Sequence, residues 1–232
     1  MSRALFLLPA LLFAQTTFQV EITAEPHHHL VFANDQVRVF SVEVPPHSAT
    51  LMHRHDHDYF YVVLGATDIS NEVSGQPAVE LKVSDGEVRF SSAPFVHLMR
   101  DLSDQPFRNV TVELLQDAKL RQSPAHWDED RGLNILQGGT EEILFVKDGV
   151  RASEFELQPG GVVPPRHYAG PHLLVAVTDL DLRLDTPLKG PMPIPMPARL
   201  KSGDSQWLSA GQAQSLTNAG RSVAKFVTLE FP

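Results

Sequence analysis

The stretch HRHDHDYFYVVLG, residues 53–65, decides how this chain is read. Three histidines and two aspartates fall within residues 53–58, and an aromatic and aliphatic run follows at once. In an extended strand, side chains two residues apart share a face at a spacing of roughly 6.6 Å. His53 and His55 therefore project together, and two imidazoles so placed can converge on one ion with bonds of about 2.0–2.2 Å. Two ligands hold a metal poorly, so a third has to arrive from a neighbouring strand. His97 is the candidate. It follows a turn at Asp85-Gly86, a strand EVRF (87–90) and a second turn at Ser-Ala-Pro, a route that returns an antiparallel strand to the first.

The rest of the chain reads as strand in the same way. VRVFSVEV (37–44), YFYVVL (59–64), VELKV (79–83), EVRF (87–90) and RNVTVELL (108–115) are short and rich in β-branched and aromatic residues. EILFV (142–146), ASEFEL (152–157), HLLVAV (172–177), SQWL (205–208) and AKFVTLEF (224–231) repeat the style. Eighteen prolines and fourteen glycines suit a protein of many turns, and no window carries a helical period outside the extreme N-terminus. The predicted class is all-β.

The two halves resemble each other. Asp-x-Val-Arg occurs at Asp35–Arg38 and at Asp148–Arg151, and Val-Thr-x-Glu at Val110–Glu113 and Val227–Glu230. HRH at 53–55 is matched to PRH at 165–167, which sets His167 beside His55 and Pro165 in place of His53. Matches that keep chain order point to a duplicated domain. The segment QDAKLRQSPAHWDEDRGLNILQGGT (116–140) carries charge, Pro and Gly without strand periodicity and is expected to join the copies. TPLKGPMPIPMPARL (186–200) reads as a stiff surface loop with polyproline character.

Composition narrows the function. A net charge of −9 argues against binding nucleic acid or an anionic membrane surface. There is no cysteine, so thiolate chemistry is excluded and a metal has to be held by His, carboxylate or Tyr. Phosphate-binding, dinucleotide and nucleophile-elbow motifs are absent. Arg3, the apolar run Ala4–Phe13 and the small Ala14 before Gln15 read as a secretory signal over residues 1–14, too short to span a bilayer. The expected location is periplasmic or secreted.

PPHSATLMHRHDHDYFYVVLG (45–65) and GEVRFSSAPFVHLMRD (86–101) together resemble the two sequence motifs of the cupin superfamily. The resemblance implies a bicupin: two double-stranded β-helix, jelly-roll-like barrels in tandem. The N-terminal barrel would occupy residues 15–118, a linker 119–140 and a C-terminal barrel 141–232. It further implies one divalent transition metal (Fe, Mn, Ni, Cu or Zn) on His53, His55 and His97. The family's glutamate does not carry over. By one count its place falls on Asp58, by another on Tyr59, with His57 a competitor; Asp58 is taken as the fourth ligand. Asp101 stands where the family has a structural Asn. In the second half, Gln214 stands where His97 would recur and His172 near the carboxylate position, so that barrel is expected to lack a metal. His47, His126 and the run His27-His28-His29 read as exposed, with at most two of the run able to meet one ion.

The implied activity is that of an exported, dioxygenase-like metal-dependent oxidoreductase acting on a small molecule. The alternative is a barrel that binds a small ligand or a metal without catalysis. Cupin edges pair between chains, so a homodimer is also implied, unless the two barrels of one chain satisfy that need internally.

Overall fold

The computed structural model describes residues 19–116, 132–147, 149–185, 199–211 and 213–232. The signal reading (1–14) and His126 lie outside them, as do the linker over 117–131 and the proline-rich loop over 186–198. Among the described residues the only helical piece is a 3-10 turn, Ile22–Ala24. None of their helices is long and apolar enough to cross a membrane. Everything else is strand and turn.

The first half forms β1 (Val20–Glu21), β2 (His28–Ala33), β3 (Val37–Val44), β4 (His53–His55), β5 (Tyr59–Leu64), β6 (Thr67–Val73), β7 (Val79–Val83), β8 (Val88–Ser91), β9 (Phe95–Asp101) and β10 (Phe107–Leu114). They make two five-stranded sheets, ordered β1-β4-β9-β6-β7 and β2-β3-β10-β5-β8. The second half forms β11 (Gly132–Lys147), β12 (Val150–His167), β13 (His172–Ala176), β14 (Leu180–Asp185), β15 (Arg199–Leu200), β16 (Ser205–Leu208), β17 (Ala213–Asn218) and β18 (Ala224–Glu230). These run as one eight-stranded sheet, β15-β14-β17-β12-β18-β13-β16, with β11 paired to β12. Two jelly-roll-type barrels result.

Alternation along the strands explains the long apolar runs. On β3, β5 and β10, one set of side chains (Val37, Val39, Phe60, Val62, Val110, Val112) packs against Val150, Ala152, Leu173, Val175, Val227 and Leu229 of the other half. The opposite set (Phe40, Val42, Val63, Phe107) faces the interior of the first barrel. A strand buried on both faces needs apolar residues at nearly every position, whereas a solvated strand alternates. The shared core is therefore a sheet-on-sheet seam between the barrels. At its rim, Arg108 donates to the Ser202 carbonyl at 2.9 Å and Lys225 to the Asp85 carbonyl at 2.8 Å.

One segment differs from the sequence reading. Residues 132–140, assigned to the linker, are the first half of β11, which pairs with β12 from Gln137 onward. Their composition hid the strand because the ladder is irregular there: the register shifts between Gln137 and Gly139, and Gly138 has φ 71°. A Cβ on Gly139 would collide with the Glu156 carbonyl, so the close approach of the two strands needs glycine.

Candidate functional site

β4 carries His53 and His55 on one face, both essentially without solvent exposure. β9 runs antiparallel beside it and sets His97 directly opposite His53. The three rings lie 4.5–5.4 Å apart between centroids. His97 Nε2 is 3.4 Å from His55 Nε2. The structure thus brings together the three histidines expected from the sequence.

A fourth comes from β2. The His28 ring lies 4.7 Å from that of His53, and one ligand nitrogen from each of His28, His53 and His55 falls within 4.8 Å of the others. Glu25, just past the 3-10 turn, puts it there. Its carboxylate is buried, with Oε2 accepting from the His28 Nδ1 at 2.6 Å and from the His27 amide at 2.8 Å. Oε1 accepts from the Leu51 amide at 3.1 Å, which ties the segment to the approach of β4. Burial opposes the charge on Glu25, but the hydrogen bonds from His28, His27 and Leu51 prevail and hold its pKa at about 2. Alternation does the rest: the side chain of His28 turns inward, and His29 stays exposed.

Three of the four imidazoles hydrogen-bond an oxygen through Nδ1, and the Nδ1 of His55 lies near one without a hydrogen bond. His28 meets Glu25, His53 the Leu51 carbonyl at 2.9 Å, and His97 the Asn71 Oδ1 at 2.7 Å. His55 meets Glu113 Oε1 at 3.4 Å. Glu113 is itself fully buried and lies 2.7 Å from Arg38 Nη2. A carbonyl or carboxylate oxygen accepts only, so it fixes the proton on Nδ1 and leaves the Nε2 lone pair for another partner. His53 Nε2 is buried with no hydrogen-bond partner at all. Burial pushes the pKa of His53 down to about 3, that of His97 well below the usual value, and that of His55 down as well despite Glu113. Neutral imidazoles with free Nε2 atoms are what a metal ion requires. Bonds of about 2.1 Å put neighbouring ligand nitrogens roughly 3.0–3.4 Å apart, a separation that His55 and His97 already show at 3.4 Å and to which His28, His53 and His55 close from within 4.8 Å.

The competitors for the fourth position are placed elsewhere. Asp58 Oδ1 accepts from the Ala93 amide at 2.9 Å, at the turn that leads into β9. Tyr59 stacks on His55 at 4.0 Å, and its hydroxyl bonds to Ser91; burial raises its pKa. His57 lies beyond β4, half-buried, and has no place in the histidine group. Asp101 caps a turn, accepting from the Ser103 and Phe107 amides. His47, exposed with φ 56°, pairs with Asp104.

The histidines form part of the wall of a cavity of about 70 Å³ inside the first barrel. Val42, Ile69, Met99 and Phe107 give it an apolar side, and Tyr61, Asn109 and Thr111 a polar strip. No protein-family model matches the chain, and no curated protein matches its sequence. Solved structures do. Oxalate decarboxylase from Lactobacillus farciminis, in a formate complex, superposes with a TM-score of 0.62 at 12% identity, over 85% of this chain and 77% of that one. Vicilin from Solanum lycopersicum gives 0.61 at 13%, over 85% and 75%. A cupin 2 conserved barrel domain protein from Leptotrichia buccalis gives 0.51 at 9%, over 88% of each. The chain has a bicupin fold. At these identities the likeness concerns the fold alone.

The strand registers align the two cupin barrels residue by residue. Arg38 faces Glu113 across β3 and β10, and Arg151 faces Glu230 across β12 and β18. His53 faces His97, and Arg166 faces Gln214. Arg166, not Pro165, therefore takes the place of His53, Tyr168 that of His55, and His167 that of Arg54. The HRH-to-PRH match slips by one residue, and a one-residue slip in a strand exchanges the two faces. His28 faces Val42 as Glu141 faces Phe155, so Glu141 takes the place of His28. His172 faces Glu230 as Tyr59 faces Glu113, and it stacks on Tyr168 at 4.0 Å.

Where the first cupin barrel gathers imidazoles, the second carries a cation of its own. The Arg166 guanidinium holds the buried Glu141 through both of its carboxylate oxygens, one at 2.5 Å. Burial raises the Glu141 pKa, and the hydrogen bonds and charge of Arg166 outweigh it and bring the pKa below its usual value. The space is filled too: Phe155 and Phe226, stacked at 4.9 Å, stand at the positions of Val42 and Asn109.

Proposed function

We propose that the N-terminal cupin barrel binds one divalent transition metal through Nε2 of His28, His53, His55 and His97, and acts on a small molecule as a metal-dependent, dioxygenase-like oxidoreductase. The observation that carries this reading is the gathering of four imidazole rings, three with Nδ1 hydrogen-bonded to an oxygen and one, His53, with a buried Nε2 that has no partner. An all-imidazole set suits Fe, Ni, Cu or Zn, with Mn a further member of the expected group. When bound, the ion supplies Lewis acidity and, for a redox-active metal, a site for electron transfer next to open coordination positions. The chain's own residues do the rest. The apolar wall of Val42, Ile69, Met99 and Phe107 excludes water, and the Asn109–Thr111 pair, joined by a 2.8 Å hydrogen bond, gives the ligand a polar edge to align on.

A second reading, a cupin barrel that binds its ligand without turning it over, is favoured by one observation. No Asp, Glu, Lys or Arg is among the described residues lining the cavity, so no carboxylate stands ready as a general base. We further propose export to the periplasm or beyond, on the residues 1–14 signal. We propose a homodimer only as the resemblance implies it, since the seam between the barrels already pairs two sheets within one chain.

Metal content of the purified chain tests the centre. The native chain is expected to carry one equivalent, and His53→Ala and His97→Ala to lose it. Retention of stoichiometric metal by both variants overturns the site. Oxygen uptake with phenolic, diketone or thiol compounds then separates the oxidoreductase from the binding protein.

A further inference from the structure

The chemistry of the cavity wall restricts what the proposed centre accepts, and this inference rests on that metal reading. We infer that the site takes a small ligand bearing at most one negative charge, carried by the atoms that meet the metal, and discriminates against dicarboxylates of the same size.

Charge is the first argument. Around the four imidazoles lie two buried carboxylates, Glu25 and Glu113, and one guanidinium, Arg38, paired with Glu113. One negative charge on a ligand can meet the ion itself. A second would extend into the cavity, whose described lining holds no Lys or Arg to receive it. Arg89, beside the lining residue Tyr61, is held by Glu87 at 2.6 Å and by the Tyr61 hydroxyl. An unpaired carboxylate in such surroundings is strongly disfavoured.

Size and polarity narrow the class further. The cavity of about 70 Å³ restricts the site to a compact ligand. Asn109 Oδ1 already accepts the Thr111 hydroxyl, so the amide NH2 of Asn109 is the donor left for the ligand. Ile69 and Leu81, on the other sheet, and Val42, beside Asn109, offer only apolar contact. The ligand is thus compact and largely apolar, with a metal-binding oxygen and one further hydrogen-bond acceptor. In the second barrel Phe226 stands at the position of Asn109 and removes both the donor and the space.

Pentane-2,4-dione and malonate form a matched pair of probes, equal in non-hydrogen atoms and differing in charge. Both are titrated into the full mature chain loaded with Co²⁺, with visible absorption of the cobalt as readout and no turnover required. Pentane-2,4-dione is expected to bind at least about ten-fold more tightly than malonate. Asn109→Leu, which keeps the shape and removes the NH2, is expected to retain cobalt and weaken the dione about ten-fold; Asn109→Phe is expected to abolish its binding. Leu81→Arg, which adds a cation to the apolar wall, is expected to move the preference toward malonate. A native chain that takes up cobalt but binds malonate as tightly as the dione overturns this inference alone. So does dione affinity unchanged in both Asn109 variants. A chain that takes up no cobalt overturns the metal reading and this inference with it.

Discussion

The ion pair in the second barrel makes a sharp prediction about what replaced a metal there. Glu141 is buried and accepts from both terminal nitrogens of Arg166 and from Asn134 at 3.0 Å. Arg166→Met keeps most of the side-chain volume and removes two of those three donors. The carboxylate is then left buried with one neutral partner, a situation that costs about 3–5 kcal/mol. For a chain of this length each kcal/mol lowers Tm by about 2–4 °C, so the variant is expected to melt about 6–20 °C lower. Adding Glu141→Leu removes the stranded charge, and the double variant is expected to return to within about 1 kcal/mol of the native chain or to exceed it. Calorimetry or denaturant unfolding of the four proteins closes the cycle. Bound metal, measured alongside, is expected to stay unchanged because the proposed centre is in the other barrel. A single variant melting within about 2 °C of native, or a double variant no better than Arg166→Met, refutes the argument that the pair is the electrostatic anchor of that barrel.

His172 gives a pH dependence elsewhere in the same barrel. Burial lowers its pKa to about 4, so the folded chain keeps it neutral while the unfolded chain protonates near the ordinary 6.5. Its unfavourable contribution is absent above that value, grows as pH falls from 6.5 toward 4, and levels off at about 3 kcal/mol. Denaturant midpoints across that range are expected to fall less in His172→Phe than in the native chain by about that amount; equal acid sensitivity refutes it. In the first barrel, Glu113→Gln removes the charge that faces the His55 Nδ1. Cobalt affinity measured against a competing chelator is expected to fall about 10–100-fold. Unchanged affinity means that the stacked Tyr59 alone holds the ring.

The parts of the site that follow from a period of two were legible in the sequence. His53 and His55 share a face by alternation, and His97 reaches them because a turn returns its strand alongside. His28 was not legible. Its entry depends on β2 pairing with β3 and on a 3-10 turn that buries Glu25, and neither leaves a pattern in the run of three histidines. The available hint was an acidic residue three positions ahead of a histidine. The second barrel shows a different limit. The offset of 113 residues between Asp35–Arg38 and Asp148–Arg151 carries through unchanged to His53 and Arg166. The literal Arg-His match at an offset of 112 hid it, although face parity along the strand already decided between them.

Two barrels built on one plan differ at few interior positions, and those differences separate scaffold from site. The outward faces of β3, β5, β10 and their counterparts all serve the common seam, so their side chains are constrained in both halves alike. The inward faces are constrained only by the need to fill space and satisfy buried polar groups. In the second barrel Phe155 and Phe226 fill the middle, and Arg166 neutralises Glu141. The first does neither. Val42 and Asn109 leave a cavity, and His53 keeps a buried nitrogen that nothing in the chain satisfies. An interior with a hole and an unmet lone pair is less stable than a filled one. The hole and the unmet His53 nitrogen meet at the end of β4, where an ion and a small ligand would complete what Phe155, Phe226 and Arg166 complete in the neighbouring barrel.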